Sequence, residues 1–281
     1  MENYSALCNV PRPFPKESIC SWLSRLCLSQ GVSLWAMLVY LELKIFTDFD
    51  AQIGKMDLDS ISKKTGLPLS DFRYQRKFFK SLRKFDYESN SYVMRYRRKR
   101  RYRFCPLCLQ EDETPYFRIE WRLKLCVSCP THKCLLEENC HSCREPIALP
   151  VNLFTKVSDT RPLESLANCS SCGAQLTKIN PAFFKDDLYE AMDLKSQSTL
   201  KAGEQLIAAF YEGTYRFKKE MRDMKPFFNI QARKRKNKFK WTARTWRLKI
   251  KRYLKANPMA FSIRLFKSEA GNSPKDRPTL N

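Results

Sequence analysis

Histidine and glycine are scarce in this chain, with two of the first and seven of the second among 281 residues. Both histidines, His132 and His141, lie inside short cysteine motifs, which leaves none for a Ser-His or Cys-His catalytic pair. The HExxH helix of metallopeptidases is absent, and no GxxxxGK[S/T] loop is present to cradle phosphates. No stretch approaches the ~18 apolar residues that a membrane-spanning helix needs. The longest candidate, Leu34 to Leu43, is short and carries Glu42. The first residues, with Glu2, Pro11 and Pro13, lack the charged start and apolar run of a secretory signal, so a cytoplasmic protein is expected. Acids are few as well. Of these, Glu111, Asp112 and Glu113 resemble an Mg²⁺-binding group, but acids in a surface turn after a CxxC are ordinarily solvated. The expectation is a protein that is not an enzyme.

What is abundant is positive charge. Lys and Arg number 52 against 29 Asp and Glu, a net charge of +23. That excess forecasts a polyanionic partner. Two segments hold all of it. From Arg73 to Arg103 thirteen basic residues face two acids, and from Arg216 to Lys255 seventeen face two. Charge runs are often only solvated helix faces. Here aromatics interleave them, as base-stacking surfaces require: Phe78, Phe79, Phe85, Tyr92, Tyr96 and Tyr102, then Phe217, Phe227, Phe228, Phe239, Trp241 and Trp246. Core packing is the alternative for many of these rings. The apolar fraction of 43% supports packed cores, and the length suggests two or three domains.

In the first hundred residues, Glu17 to Gln30 reads as an amphipathic helix with Ile19, Trp22, Leu23 and Leu26 on one face and Gly31 as its stop. Leu34 to Phe46 reads as a second, more buried helix. A helix-turn-helix candidate follows. Leu58 and Ile61 open a short helix, Thr65-Gly66-Leu67 makes the turn, and Ser70 caps a second helix. On that second helix Arg73, Arg76, Lys77, Lys80, Arg83 and Lys84 form one stripe, with Phe72, Phe79 and Leu82 on a buried face. Such a stripe suits groove or phosphate docking; a basic polar face on a helical hairpin is the plainer reading.

Twelve cysteines in a reducing compartment point to metal rather than disulfides. Four half-sites follow one another: Cys105-Pro-Leu-Cys108, Cys129-Pro-Thr-His132, Cys140-His-Ser-Cys143 and Cys169-Ser-Ser-Cys172. Two intervening residues let the two side chains of a tight knuckle meet one ion. Two structural Zn²⁺ ions are expected. Pairing in chain order gives one site from Cys105, Cys108, Cys129 and His132 and another from Cys140, Cys143, Cys169 and Cys172; interleaved pairing is geometrically open. Cys126 and Cys134 are spares, Cys126-Val-Ser-Cys129 is a rival knuckle, and His141 is a rival ligand. Cys8, Cys20 and Cys27 read as small apolar residues of the first helical region. Between the first half-sites Ile119, Trp121, Leu123, Leu125 and Val127 alternate like a strand, although Phe117, Trp121 and Leu125 would also suit a short helix. In both readings Trp121 is a core plug.

At these residues a family becomes recognisable. Pro13-Phe-Pro-Lys-Glu-Ser18, then Ser21-Trp22-Leu23 and Arg25-Leu26, resembles the opening of TniQ/TnsD proteins. Phe104-Cys-Pro-Leu-Cys-Leu109, then Tyr116, Trp121, Arg122, Cys129-Pro-Thr-His132, Leu135 and Cys140, resembles the zinc region of the same family. The resemblance runs roughly from Pro11 to Cys172. It implies a non-catalytic adaptor in DNA transposition, linking a target-recognition element to the transposon's AAA+ ATPase and transposase. In CRISPR-associated transposons that element is an RNA-guided effector with its guide RNA; TnsD-like members read a DNA attachment site themselves. A free-standing zinc-finger DNA-binding regulator is the competing class.

The expected architecture is mainly α with small zinc-ribbon-like β elements. Residues 1–103 form an N-terminal helical domain with the helix-turn-helix candidate, 104–180 tandem zinc fingers, and 181–281 a basic helical C-terminal region with a disordered tail. In that last region Leu200 to Tyr215 has helical spacing through Leu206, Ile207, Phe210 and Tyr211, and Trp241 to Lys255 reads as a basic helix. Nucleic-acid contact is assigned to the helical stripe, to Arg97, Arg98, Lys99, Arg100 and Arg101, and to Arg233, Lys234, Arg235, Lys236 and Lys238.

Overall fold

A computed structural model of the chain describes residues 7–44, 46, 48–85, 93–96, 99–124, 126–150, 163–183, 204–205, 207–217 and 220–223. Arg97, Arg98, the run from Arg233 to Lys238, the expected helix Trp241 to Lys255 and the expected disordered tail lie outside the described residues. Within them the fold is mainly helical, with few strands and two cysteine/histidine clusters. No helix among the described residues is long and apolar enough to cross a membrane.

Helix α1 spans Ile19–Gln30 and sits at the centre of the first part of the core. The Ser18 side chain accepts from the Ser21 amide at its start, satisfying one of the donors that a helix N-terminus leaves open. Gly31 ends it at φ 64, its N–H reaching Cys27 and Leu28 carbonyls. The expected apolar face is only part of the burial, because every residue from Ile19 to Cys27 is buried. Arg25 is therefore paired: its Nε and Nη2 donate to Glu17 Oε1 and Oε2 at 2.9 and 2.8 Å. Burial pushes the Glu17 carboxyl up, and Arg25, the Phe14 amide and the Ser21 hydroxyl pull against it. Cys20 and Cys27 are buried as small apolar residues, whereas Cys8 is exposed, contrary to expectation.

Helix α2 covers Leu34–Tyr40 only, shorter than the Leu34 to Phe46 expected. Glu42 adopts φ 54, a left-handed conformation that turns the chain away from the helical path. Nor is α2 deeply buried: Met37 and Leu38 face the core, but Trp35 is 67% and Val39 56% exposed.

Helix α3, Leu58–Thr65, starts on an Asp57 cap to the Ser60 amide and ends at Gly66 in the left-handed region, φ 70. Pro68 then introduces a 3₁₀ turn, Leu69–Phe72, before helix α4 at Arg73–Phe85. Ser70 thus lies within the 3₁₀ turn instead of capping α4, and the connection is longer than the tight turn expected. Phe72, Gln75, Phe78, Phe79 and Leu82 of this segment are buried, with Trp22 edge-on to Phe72 at 4.9 Å.

The second part of the chain is short loops braced by isolated bridges. Helix α5 spans Pro106–Glu111, with proline at its first position, where its missing N–H is not needed. Among its described residues the alternating stretch near Trp121 is neither strand nor α-helix: Ile119–Arg122 is one 3₁₀ turn, and Leu125 lies outside the described residues. Trp121 is buried edge-on to Phe117 at 5.7 Å. Reciprocal bonds join Phe104 and Glu137 at 2.9 and 2.8 Å, and Tyr102 N–H reaches Ile147 at 3.0 Å. Two small antiparallel pairs were not anticipated, β1 (Arg95–Tyr96) with β2 (Lys99–Arg100) and β3 (Thr214–Phe217) with β4 (Glu220–Asp223). The expected helix Leu200 to Tyr215 accordingly stops at Gly213, φ 75, where β3 begins. Its inner side is as the spacing required, with Phe210 and Tyr211 against Phe78 at 5.6 and 4.7 Å.

The buried core is continuous from Ile19 to Phe210. Its polar centre is Arg122, which donates to Asp48 Oδ1 and Oδ2 at 2.6 and 2.9 Å and to Asp50 Oδ2 at 2.9 Å. Asp50 also accepts from the Cys20 amide at 3.1 Å and from the Tyr102 hydroxyl. Burial alone would lower the Arg122 guanidinium; Asp48, Tyr102 and Asp50 outweigh it and hold it well above its ordinary value. Breaking such a pair by removing one partner strands the other charge away from water. Arg122→Met is expected to lower the unfolding free energy by about 3–5 kcal/mol in denaturant titration, because two buried carboxylates lose their cation.

Candidate metal centres and cationic face

Three of the four half-sites share one backbone device. The residue four after the first cysteine is left-handed: Lys133 at φ 49, Arg144 at φ 63 and Gly173 at φ 74. Each returns its N–H to the carbonyl of that cysteine, at 3.0 Å to Cys129, 3.1 Å to Cys140 and 2.8 Å to Cys169. The turn folds the two donor side chains towards one point. The Cys105 half-site uses a helix start instead: Cys105 caps α5, and its sulfur accepts from the Cys108 amide at 3.5 Å.

The half-sites pair in chain order. Donor atoms of Cys105, Cys108, Cys129 and His132 lie within 4.8 Å of one another, as do those of Cys140, Cys143, Cys169 and Cys172. Tetrahedral zinc, with bonds of about 2.3 Å to sulfur and 2.0–2.1 Å to nitrogen, places two sulfurs about 3.8 Å apart and sulfur and nitrogen about 3.6 Å apart. His132 Nδ1 is 3.4, 3.3 and 3.5 Å from the sulfurs of Cys105, Cys108 and Cys129. In the second cluster Cys140 to Cys172 is 3.7 Å and Cys143 to Cys169 is 3.8 Å. The donor sets therefore fit a divalent ion, and all twelve cysteines are free of disulfides. The thiols of each cluster shift in opposite directions: the Cys105 hydrogen bond pushes Cys108 up, and burial pushes Cys143 and Cys169 up, the last to about 12. Hydrogen bonds from Cys105 and Cys108 hold Cys129 far below the ordinary thiol value. Cys172 is lowered to about 7: burial resists this, and the backbone bond at Ala174 with the neighbouring Cys143, Cys140 and Cys169 thiols outweighs it.

Glu111, a solvated acid on the sequence reading, has a specific place. His132 Nε2 lies 2.7 Å from Glu111 Oε2, which leaves Nδ1 to face the sulfurs. A carboxylate behind a histidine fixes ring orientation and raises ligand basicity. Burial lowers the His132 value, but the Glu111 bond and Cys129 raise it to about 9. Asp112 pairs with Arg118 at 3.0 and 3.1 Å. The place of Glu111 just behind the first two cysteines gives no hint of its role, because His132 arrives from 21 residues away. His141 is exposed and in neither cluster, and Cys126 is buried with its sulfur 3.9 Å from the Ser128 carbonyl, so the rival knuckle does not form.

The cationic stripe is brought together on α4. Arg73, Arg76, Lys77 and Lys80 are exposed on one side, opposite Phe72, Phe79 and Leu82. Arg83 is turned inward enough to donate to the Ala51 carbonyl, and of Lys84, Lys99 and Arg100 the backbone alone is described. Arg101 bonds Asn139 and lies 4.0 Å from Glu138. Arg103, counted with the same basic segment, is buried and donates to Glu138 and to the carbonyls of Leu123, Lys124 and Cys126. Among the interleaved aromatics Phe78, Phe79 and Tyr102 are core residues, which removes them as stacking surfaces.

Residues 9–136 match a TniQ family model. The match takes in α1 to α5 and the first donor cluster, and stops short of the second. No curated protein matches the chain. From the donor geometry, the purified chain is expected to carry two metal equivalents by elemental analysis. Cys140→Ser is expected to carry one, and so is Cys108→Ser combined with Cys129→Ser; retention of both equivalents would remove the corresponding cluster as a site.

Proposed function

With residues 9–136 forming a TniQ domain, which ties the chain to transposition, we propose that it is a zinc-bound, non-catalytic adaptor in target selection. It links a target-recognition element, either an RNA-guided effector or target DNA, to the transposon AAA+ ATPase and through it to the transposase. Two structural Zn²⁺ ions occupy the Cys105–His132 and Cys140–Cys172 clusters. The exposed face of α4 contacts nucleic-acid phosphate.

The observation that carries this reading is that face. Arg73, Arg76, Lys77 and Lys80 stand in one row on a helix whose other side is locked into the core by Phe78, Phe79 and Leu82. Cations on a rigid rod track a phosphate backbone without the cost of ordering the main chain. A helix-turn-helix role for α3 and α4, docking on the phosphate backbone, belongs to the same proposal. In support of a non-catalytic role, His132 faces three sulfurs, and the acids Glu111 and Asp112 are engaged by His132 and Arg118. A closed four-ligand site organises structure and leaves no open position for substrate.

Two measurements test the reading. The chain is expected to capture the AAA+ ATPase encoded beside it, or an effector complex, and to bind bare DNA without sequence preference. Tight, sequence-selective DNA binding with no partner captured would instead make it a regulator. Neutralising Arg73, Arg76, Lys77 and Lys80 to Ser is expected to flatten the dependence of log K on log salt, by about 0.9 for each duplex phosphate that these cations neutralise. Removal of residues 224–281, which takes away thirteen of the seventeen basic residues of the second segment, measures their share in the same slope.

A further inference from the structure

A fifth sulfur borders the four donors of the first cluster. Cys134 Sγ lies 3.6 Å from Cys105 Sγ, the same separation as Cys108 from Cys129 within the cluster. Cys134 is fully buried, and its carbonyl accepts from the Cys129 amide at 2.8 Å, so it is anchored to the same knuckle. The left-handed residue Lys133 separates it from His132 and lets both side chains reach the cluster. They differ in setting. His132 leans outward on Glu111, whose side chain is 59% exposed, while Cys134 approaches from the core side.

We infer that Cys134 is a reserve ligand of the first centre, able to replace His132 and convert the Cys105–Cys108–Cys129–His132 site into one of four thiolates. The inference rests on the reading of this cluster as a zinc site. Zinc accepts both donor sets with the same tetrahedral preference, and a thiolate is the softer, stronger donor. The exchange gives up the bond to His132 Nδ1 for one to Cys134 Sγ, whose thiol proton passes to the freed imidazole or to water; the site gains one negative charge in a buried place, which favours the imidazole as resident donor. Five donors around four positions mean that loss of the outward ligand leaves the buried three tied. The knuckle then stays closed while His132 and Glu111 are freed at the surface.

The test uses the full chain loaded with Zn²⁺ for stoichiometry and with Co²⁺ for its thiolate-to-metal charge-transfer band. Wild type is expected to bind two ions, and a wild type that binds none fails the zinc reading itself. His132→Ala is expected to retain two ions, with the band stronger by one thiolate in a total of eight instead of seven. Cys134→Ser is expected to retain two ions and an unchanged band, and the double variant to retain one. The milder Glu111→Gln, which keeps all five donors, is expected to strengthen the band part of the way. Retention of a single ion by His132→Ala, or two ions with no gain in the band for either His132→Ala or Glu111→Gln, would overturn the inference. So would metal loss in Cys134→Ser alone, which would make Cys134 the resident ligand.

Discussion

A guanidinium without access to water sits at the middle of this molecule. Arg122 comes from the loop region between the first two half-sites, and its partners Asp48 and Asp50 come from 74 and 72 residues earlier. Once buried, none of the three charges tolerates the loss of its counterpart. The same carboxylates bind the Ala51 and Cys20 amides, so the network reaches directly into α1. Tyr102 closes it from the segment that leads into the Cys105 knuckle. Helical and metal-binding parts are thereby joined through one polar centre, around which Trp22, Phe104, Phe117 and Trp121 pack.

That joint explains how small knuckles acquire a fixed orientation. Each is a loop whose own apolar content is slight, and its donors converge through backbone turns at Lys133, Arg144 and Gly173. The first also has a wall. Phe104 pairs with Glu137, Arg103 spans to the Leu123, Lys124 and Cys126 carbonyls, and Glu111 steadies the histidine. A bound ion contributes folding free energy to such a region because its ligand set does not exist in the unfolded chain. The second cluster has shallower cover, with Cys172 exposed and Cys143 half-buried, and lies beyond the TniQ match.

Charge is divided by the same packing. Of the basic segment from Arg73 to Arg103, Arg103 is consumed by the interior and Arg83 and Arg101 by nearby acceptors, while Arg73, Arg76, Lys77 and Lys80 remain outward. A net count over the segment overstates what an anionic partner would meet. Placement matters more than number, since an exposed row acts together and a buried cation acts on its own carbonyls.

Local chemistry is readable from the chain alone wherever neighbours in sequence are neighbours in space. Ser18 and Gly31 bracket α1, Asp57 and Gly66 bracket α3, the α4 stripe follows helical spacing, and four half-sites announce a metal by their two-residue gaps. What needed tertiary structure is everything that meets across long separations. Arg122 reads as one more cation, Cys134 as a spare and Glu111 as a solvated acid, until the fold sets them against Asp48, Cys105 and His132. The expected helix from Leu34 to Phe46 runs too far for the same reason, since an apolar run does not disclose that Glu42 turns left-handed and leaves Trp35 in water. Spacing encodes the angle around a helix or turn, but burial and pairing depend on which distant segment arrives, and only the closed core decides that.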